Sequence, residues 1–147
     1  MIAFHVVCVV VGLLVGVAVL LRRKGTDTHR MLGWLYVVAM LATAVGSFWI
    51  YEVRDGRPSI FHGVSVLITA VVLGGVIALR LGHRWVHALL MMSSFLMALI
   101  TGIAQFFDQL PLPSPALNAI VFLQLPSVIG FWLIWRSAQT HRATASA

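Results

Sequence analysis

Four histidines lie within apolar stretches of the chain or directly at their start, at positions that repeat from one stretch to another. His5 and His62 lie close to the start of the first and third stretches, and His29 and His87 open the second and fourth. A neutral imidazole is a nitrogen ligand for metal ions and for haem iron. Because no Asp, Glu, Lys or Arg lies within the apolar stretches, these imidazoles are the main candidates for chemistry there.

Five apolar stretches must position these histidines. The chain has 147 residues, of which 61% are hydrophobic and 10% charged, so polar residues are too few to cover a soluble core. Each stretch is long enough to cross a hydrocarbon core of ~30 Å at ~1.5 Å per residue. We therefore predict an all-α polytopic membrane helix bundle, with a four-helix core plus a fifth transmembrane helix, in one domain over residues 1–147. The predicted spans are about 2–21, 31–51, 59–79, 85–107 and 116–135.

Several single residues predict local structure within these spans. Thr28 is expected to cap the second helix through its side-chain oxygen. Pro126 is expected to kink the fifth helix, because proline has no N–H to donate. Gln105, Asn118 and Gln124 are expected to form hydrogen bonds between helices.

Basic residues are distributed unevenly between the two ends of the predicted spans. One set of ends holds eight Lys and Arg residues, whereas the loops at the other ends hold two, Arg54 and Arg57. Because loops on the cytoplasmic side are rich in Lys and Arg, the N-terminus is predicted outside and the C-terminus inside. The formal net charge of +6 is therefore assigned to contact with lipid headgroups of the bilayer and not with nucleic acid. The eight inner residues are Arg22, Arg23, Lys24, Arg30, Arg80, Arg84, Arg136 and Arg142.

In this topology the four histidines form two pairs by depth. His5 and His62 lie about one turn inside the outer ends of their spans. His29 and His87 begin their spans at the inner side. In an up-down-up-down bundle, the first and third helices are diagonal, as are the second and fourth. Each pair is therefore predicted to face across the bundle axis, one near each membrane surface.

Small and polar residues follow each histidine at helical spacing. Such residues mark the faces of membrane helices that contact other helices or a ligand, whereas large aliphatic residues face lipid. The histidines are therefore predicted to point into the bundle. The four faces are His5, Val9, Gly12 and Gly16; His29, Gly33, Tyr36, Met40, Thr43 and Ser47; His62, Ser65 and Thr69; and His87, Met91, Ser94, Ala98, Thr101 and Gln105.

Two inward histidines at one depth suit axial ligation of haem b. Two imidazoles fill both axial positions of the iron, and one or two such haems would form an electron path within or across the membrane. Glycines make room for a planar macrocycle, and the candidates are Gly33, Gly102, Gly12 and Gly16. Haem propionates are expected to pair with Arg30 or Arg84 near the inner surface and with Arg54 or Arg57 near the outer surface.

Two other functions remain open at this stage. The first is a copper or zinc protein in which His5, His29, His62 and His87 supply the metal ligands, or in which His83 joins His87 one turn away. The second is a small accessory subunit or assembly factor of a larger membrane complex. No motif of a hydrolase or of a nucleotide-binding enzyme is present, so the expected activity is that of an electron-transfer component of an oxidoreductase, with a quinone or a larger membrane redox complex as partner.

A motif around His29 carries a resemblance to a known family. The chain resembles the bacterial predicted membrane proteins grouped as domain of unknown function 2306, and the likeness covers most of its length. That resemblance implies a multi-pass protein of the bacterial cytoplasmic (inner) membrane. The layout of the histidines is also similar to the four-helix architecture of cytochrome b561 and haem A synthase, although no residue is carried over from these. The motif reads Gly25-Thr26-x-x-His29-Arg30-x-Leu32-Gly33-x-x-Tyr36, and is followed by Phe61-His62 and by Arg84-Trp85-Val86-His87 with Met91-Met92.

Overall fold

The computed structural model describes residues 2–50 and 60–145, except for the side chains of residues 137, 138 and 140–145. Most of the described residues are helical and none forms a β-strand, which confirms the predicted all-α fold. Five helices are long and apolar enough to cross a membrane, the fifth over Pro115–Arg136. The helices are α1 (Ile2–Leu21), α2 (Asp27–Ser47), α3 (Ile60–Arg80), α4 (Arg84–Ala104), α5 (Pro115–Asn118) and α6 (Leu125–Ala145), with a π-helical turn over Ala119–Gln124 between the last two.

The second helix begins earlier than predicted. α2 starts at Asp27, and its N-cap is Thr26, whose hydroxyl oxygen accepts a hydrogen bond from the backbone N–H of His29 at 3.2 Å. The prediction that Thr28 caps this helix is therefore wrong. Gly25 has a positive φ of 84°, a conformation that glycine adopts without strain, so the chain has already turned when it reaches Thr26.

The chain divides into two compact units, Met1–Val72 and Leu73–Ala147. In the first unit α1 packs along α2, and Gly12 allows the close contact: a Cβ added there would lie 3.1 Å from the sulfur of Met40. The buried face of α2 includes Tyr36, Met40 and Ser47, as its predicted inward face requires. The predicted single domain over 1–147 stays a prediction.

In the second unit, glycines again set the contacts between helices. A Cβ added at Gly75 near the end of α3 would lie 2.8 Å from the sulfur of Met91 on α4. A Cβ added at Gly130 on α6 would lie 2.6 Å from a terminal carbon of Leu96 on α4. Close approach at small residues is how membrane helices gain van der Waals contact, because lipid is as apolar as their side chains.

The end of α4 and the loop after it differ from the prediction. The helix ends at Ala104, and a 3₁₀ turn follows over Phe107–Gln109. Asn118 does not join two helices: its side-chain oxygen accepts from the Leu112 N–H at 3.1 Å, and its amide nitrogen donates to the Leu112 carbonyl at 3.2 Å. Its expected bond between helices is therefore wrong, because the loop before α5 folds back onto the first turn of that helix.

Pro126 is accommodated by a change of helix type. The residues just before it form the π-helical turn, in which the Leu125 N–H donates to the Ile120 carbonyl five residues earlier. A wider turn of this kind is a known response to a lost i to i−4 hydrogen bond. The structure thus has a π turn just before Pro126 in the fifth span, and the predicted kink stays a prediction.

We predict that Gly130→Ala weakens the second unit. Leu96 is buried at 9% exposure, so its side chain has little room to move away from an added methyl group. Overpacking of this kind costs about 1–3 kcal/mol. The purified variant should therefore unfold at a lower temperature than the unchanged protein.

Gly102→Ala on α4 is the matched control for this change, because a Cβ there meets no atom within 4 Å. Its unfolding temperature should stay level or rise slightly, since alanine favours helix more than glycine does. The double variant with Leu96→Ala and Gly130→Ala should lose less free energy of unfolding than the sum of the losses in the two single variants. Simple additivity of the two would mean that the contact does not limit packing.

Candidate functional site

His5 on α1 is held by the backbone of α2. Its Nδ1 lies 2.9 Å from the carbonyl oxygen of Thr43. A carbonyl oxygen can only accept a hydrogen bond, so Nδ1 carries the proton and donates it. In the neutral ring, Nε2 then has the lone pair that binds a metal. The ring is half-buried, as its predicted inward face requires.

His62 on α3 lies beside the C-terminal end of α2. The residue is only 9% exposed, and its ring meets the ring of Phe48 edge-on with centroids 6.0 Å apart. One turn further along α3, the hydroxyl of Ser65 lies 2.8 Å from that of Ser47. The structure therefore brings His5 and His62 to the same end of α2, within one unit. This arrangement agrees with their predicted pairing at one depth.

Hydroxyl groups accompany these two histidines. The Ser47 hydroxyl also donates to the Ala44 carbonyl at 2.7 Å, and the Thr69 hydroxyl donates to the Ser65 carbonyl at 2.8 Å. Since Ser47 has one proton, its contact with Ser65 is completed by the proton of Ser65. The hydroxyl of Thr43, whose carbonyl holds His5, is buried. The first unit thus contains a polar region among otherwise apolar helices.

His87 on α4 repeats the arrangement of His5 in the second unit. Its Nδ1 lies 2.9 Å from the carbonyl oxygen of Gly75 on α3. By the same reasoning Nδ1 is protonated, and Nε2 is the ligand atom of the neutral ring. The ring is half-buried. Because Gly75 has no side chain, α4 comes close enough for the ring to reach the backbone.

His29 is half-buried in the first turn of α2. Gly33 follows one turn later, and a Cβ added there would meet no atom within 4 Å. Open space therefore lies next to the glycine that was predicted to make room beside His29. His29 belongs to the first unit and His87 to the second, so their pairing stays a prediction.

The turn between α1 and α2 is built by the first residues of the family motif and by Lys24, which precedes it. Lys24 folds back so that its ammonium donates to the carbonyls of Val19 and Leu20, each at 3.1 Å. Cations are favourable at a helix C-terminus, where the last carbonyls lack helical partners. Burial lowers the pKa of the Lys24 ammonium below its ordinary value. The hydroxyl of Thr26 donates to the Arg23 carbonyl at 3.0 Å and so joins the two helix ends.

Two of the four cations predicted to pair with propionates, Arg30 and Arg84, lie at helix starts. Arg30 contacts the carboxylate of Asp27 at 3.5 Å and donates to the Gly25 carbonyl at 3.3 Å, with its side chain 70% exposed. Such an exposed contact contributes little energy, so Arg30 can exchange it for another anion. Arg84 is exposed at the start of α4. Arg54 and Arg57 lie outside the described residues.

The glycines predicted to make room for a cofactor fall into two groups. Met40 occupies the space next to Gly12, so the prediction that Gly12 makes room for a cofactor is wrong. Gly12 serves the packing of α1 on α2 instead. Gly16 is also buried. Gly33 and Gly102 have open space, and so does Gly63, which follows His62 directly and was not predicted.

No group of three or more His, Cys, Asp and Glu side chains suited to a metal ion occurs among the residues that the structure describes. His83 is exposed at the N-cap of α4, one turn before His87. The sequence did not predict the carbonyls of Thr43 and Gly75 as partners of histidines. The adjacent glycines Gly74 and Gly75 are the one signal that pointed to a close backbone approach.

Five helices able to cross a bilayer define this chain as a polytopic membrane protein. The model of the predicted membrane protein family DUF2306 matches residues 2–135. The chain belongs to this family, which confirms the resemblance found in the motif. No curated protein and no solved structure matches the chain. The likeness to cytochrome b561 and haem A synthase stays a prediction.

Proposed function

We propose that this protein binds b-type haem through its intramembrane histidines and transfers electrons within or across the membrane. The observation that carries the proposal is the shared setting of His5 and His87. Each donates its Nδ1 proton to a backbone carbonyl of a neighbouring helix, at 2.9 Å in both cases. This hydrogen bond is typical of histidines that bind a metal, because it fixes the ring and raises the donor strength of Nε2.

The residues present fit a haem ligated by two imidazoles. His5 and His62 lie at one end of α2 and supply nitrogen donors from two helices. A Cβ added at Gly63, next to His62, or at Gly33, one turn from His29, would meet no atom within 4 Å, so the helix surface at both glycines is open. The chemistry that such a haem supplies is one-electron transfer, since two axial histidines leave no position for oxygen. His5 with His62 would hold one haem, and His29 with His87 a second.

The distribution of basic residues supports an orientation of the protein in the membrane. The excess of basic residues around α1–α2, α3–α4 and the C-terminal segment supports an inner position for His29 and His87 and an outer position for His5 and His62. We place the protein in the bacterial inner membrane on the strength of the family motif. A quinol or a larger membrane redox complex is the proposed electron donor or acceptor. Arg30 and Arg84 would pair with haem propionates near the inner surface.

Copper or zinc binding by several histidines has less support. The described residues contain no cluster of three metal-binding side chains. A role as accessory subunit remains compatible with haem binding.

The proposal is tested by the visible spectrum of the purified protein. Protein expressed with added haem precursor should show the sharp reduced α-band of a six-coordinate b-type haem, with up to two haems per chain. Metal analysis of the same sample should find iron in proportion to that band. A folded protein that stays colourless after incubation with haem would contradict the proposal, and copper or zinc in its place would favour the metal-binding alternative.

A further inference from the structure

A polar side chain lies exposed near the middle of the fifth span. Gln124 is nine residues after Pro115, which opens the span, and twelve before Arg136, which closes it. At ~1.5 Å per residue both distances are roughly half of a bilayer core. The sequence predicted that Gln124 bonds to another helix. The structure instead leaves its side chain exposed, with no hydrogen bond to any residue that is described.

A backbone carbonyl on the same face lacks its usual helical donors. The carbonyl of Val121 would receive a hydrogen bond from residue 125 in an α-helix or from residue 126 in a π-helix. The Leu125 N–H donates to Ile120 instead, and Pro126 has no N–H. Val121 is 41% exposed. The middle of the span thus exposes the side-chain amide of Gln124 and, one turn before it, the carbonyl of Val121, which lacks its helical hydrogen-bond donors.

Polar groups of this kind are costly in lipid. The hydrocarbon core offers no water, so an exposed amide or carbonyl loses its hydrogen bonds unless protein supplies them. The face around Gln124 is otherwise apolar and exposed, with Val121 41% and Val128 67% exposed. The opposite side of α6 packs on α4 through Gly130. A contact with another protein surface would therefore satisfy Gln124 without disturbing the chain's own packing.

We propose that two copies of this chain associate through the face formed by Val121, Gln124 and Val128. Copies inserted in the same orientation are related by a two-fold axis along the membrane normal, which brings Gln124 of each copy to the same depth. A glutamine amide both donates and accepts, so the two side chains complement each other, and either can also donate to the Val121 carbonyl of the other copy. Glutamine pairs of this kind are known to hold membrane helices together. The inference is independent of haem binding.

The experiment is disulfide cross-linking in liposomes. Cys8 is the one cysteine of the chain, so Cys8→Ser gives a background without thiols. Val128→Cys in this background keeps Gln124 and should form a disulfide-linked dimer on mild oxidation. Val66→Cys, on an exposed face of α3, is the matched control and should stay largely monomeric. A Val128→Cys protein that cross-links no more than this control would overturn the proposal.

Dependence on the amide is tested by Gln124→Leu. This change should weaken dimerisation roughly tenfold, as measured by energy transfer between labelled copies at decreasing protein-to-lipid ratios. Gln105→Leu, which replaces the exposed glutamine after α4, should leave dimerisation unchanged. Equal association of the Gln124→Leu variant and the unchanged protein would refute the role of Gln124. Cross-linking of Val128→Cys in native membranes to a different protein, and not to itself, would refute the second copy as the partner.

Discussion

Replacing His5 by alanine should remove the haem that His5 and His62 are proposed to hold. The affinity of that site is expected to fall by at least roughly tenfold, because the loss of an outer hydrogen-bonding partner alone costs about 10- to 100-fold in metal affinity. His62→Ala should have the same effect, since a six-coordinate iron needs both imidazoles. Haem titration followed by the reduced α-band measures the loss, and the change in haem per chain shows how many sites there are.

His5→Asn separates ligation from packing. The amide nitrogen of asparagine lies close to the place of Nδ1, so it can keep the hydrogen bond to the Thr43 carbonyl that the structure shows at 2.9 Å. Asparagine has no atom in the place of Nε2. We expect this variant to fold and to lose the haem, whereas a purely structural His5 would tolerate asparagine. A normal spectrum for His5→Asn would contradict haem ligation by His5.

The sequence predicted the spans well because a bilayer imposes simple rules. Apolar length and the absence of charge are sufficient to place five helices, and the structure has helices at all five. The inward faces also follow from helical spacing: Gly12, Gly16 and Ser94 are buried as predicted. Helix ends were harder to predict. Thr26 and Thr28 are equally good caps by residue type, and the left-handed conformation of Gly25 decides between them.

The site was predictable only in its residue types. Four histidines stand out in an apolar chain, and in the structure His5 and His62 contact residues at one end of α2. The partners that hold His5 and His87 are backbone carbonyls, which every residue has, so residue type does not mark the Thr43 carbonyl, and only the glycine pair Gly74-Gly75 hints at the other. The direction that Gln124 faces was also hidden, because Gln124 ends the π turn, whose wider winding changes the direction of its side chains from that of an α-helix.

Gly33→Leu should block the cofactor at His29 while leaving the fold intact. A Cβ added at this position meets no atom within 4 Å, so the helix surface there is open, and leucine favours helix over glycine by ~1 kcal/mol or slightly less. The space it fills lies one turn from His29, where the proposed macrocycle needs room. We expect the unfolding temperature to stay level or rise. The spectral component that His29→Asn removes should be missing from Gly33→Leu as well.

Gly102→Leu is the control, because Gly102 has the same open surroundings but lies about four turns from His87 along α4. It should keep the component assigned to His29 and His87. Loss of that component only in Gly33→Leu would mean that the cofactor occupies the space over this glycine, since both changes add the same side chain to open helix surface. If Gly33→Leu binds haem as the unchanged protein does, the open space at Gly33 faces lipid. Gly33 would then lie on the lipid-facing surface of α2.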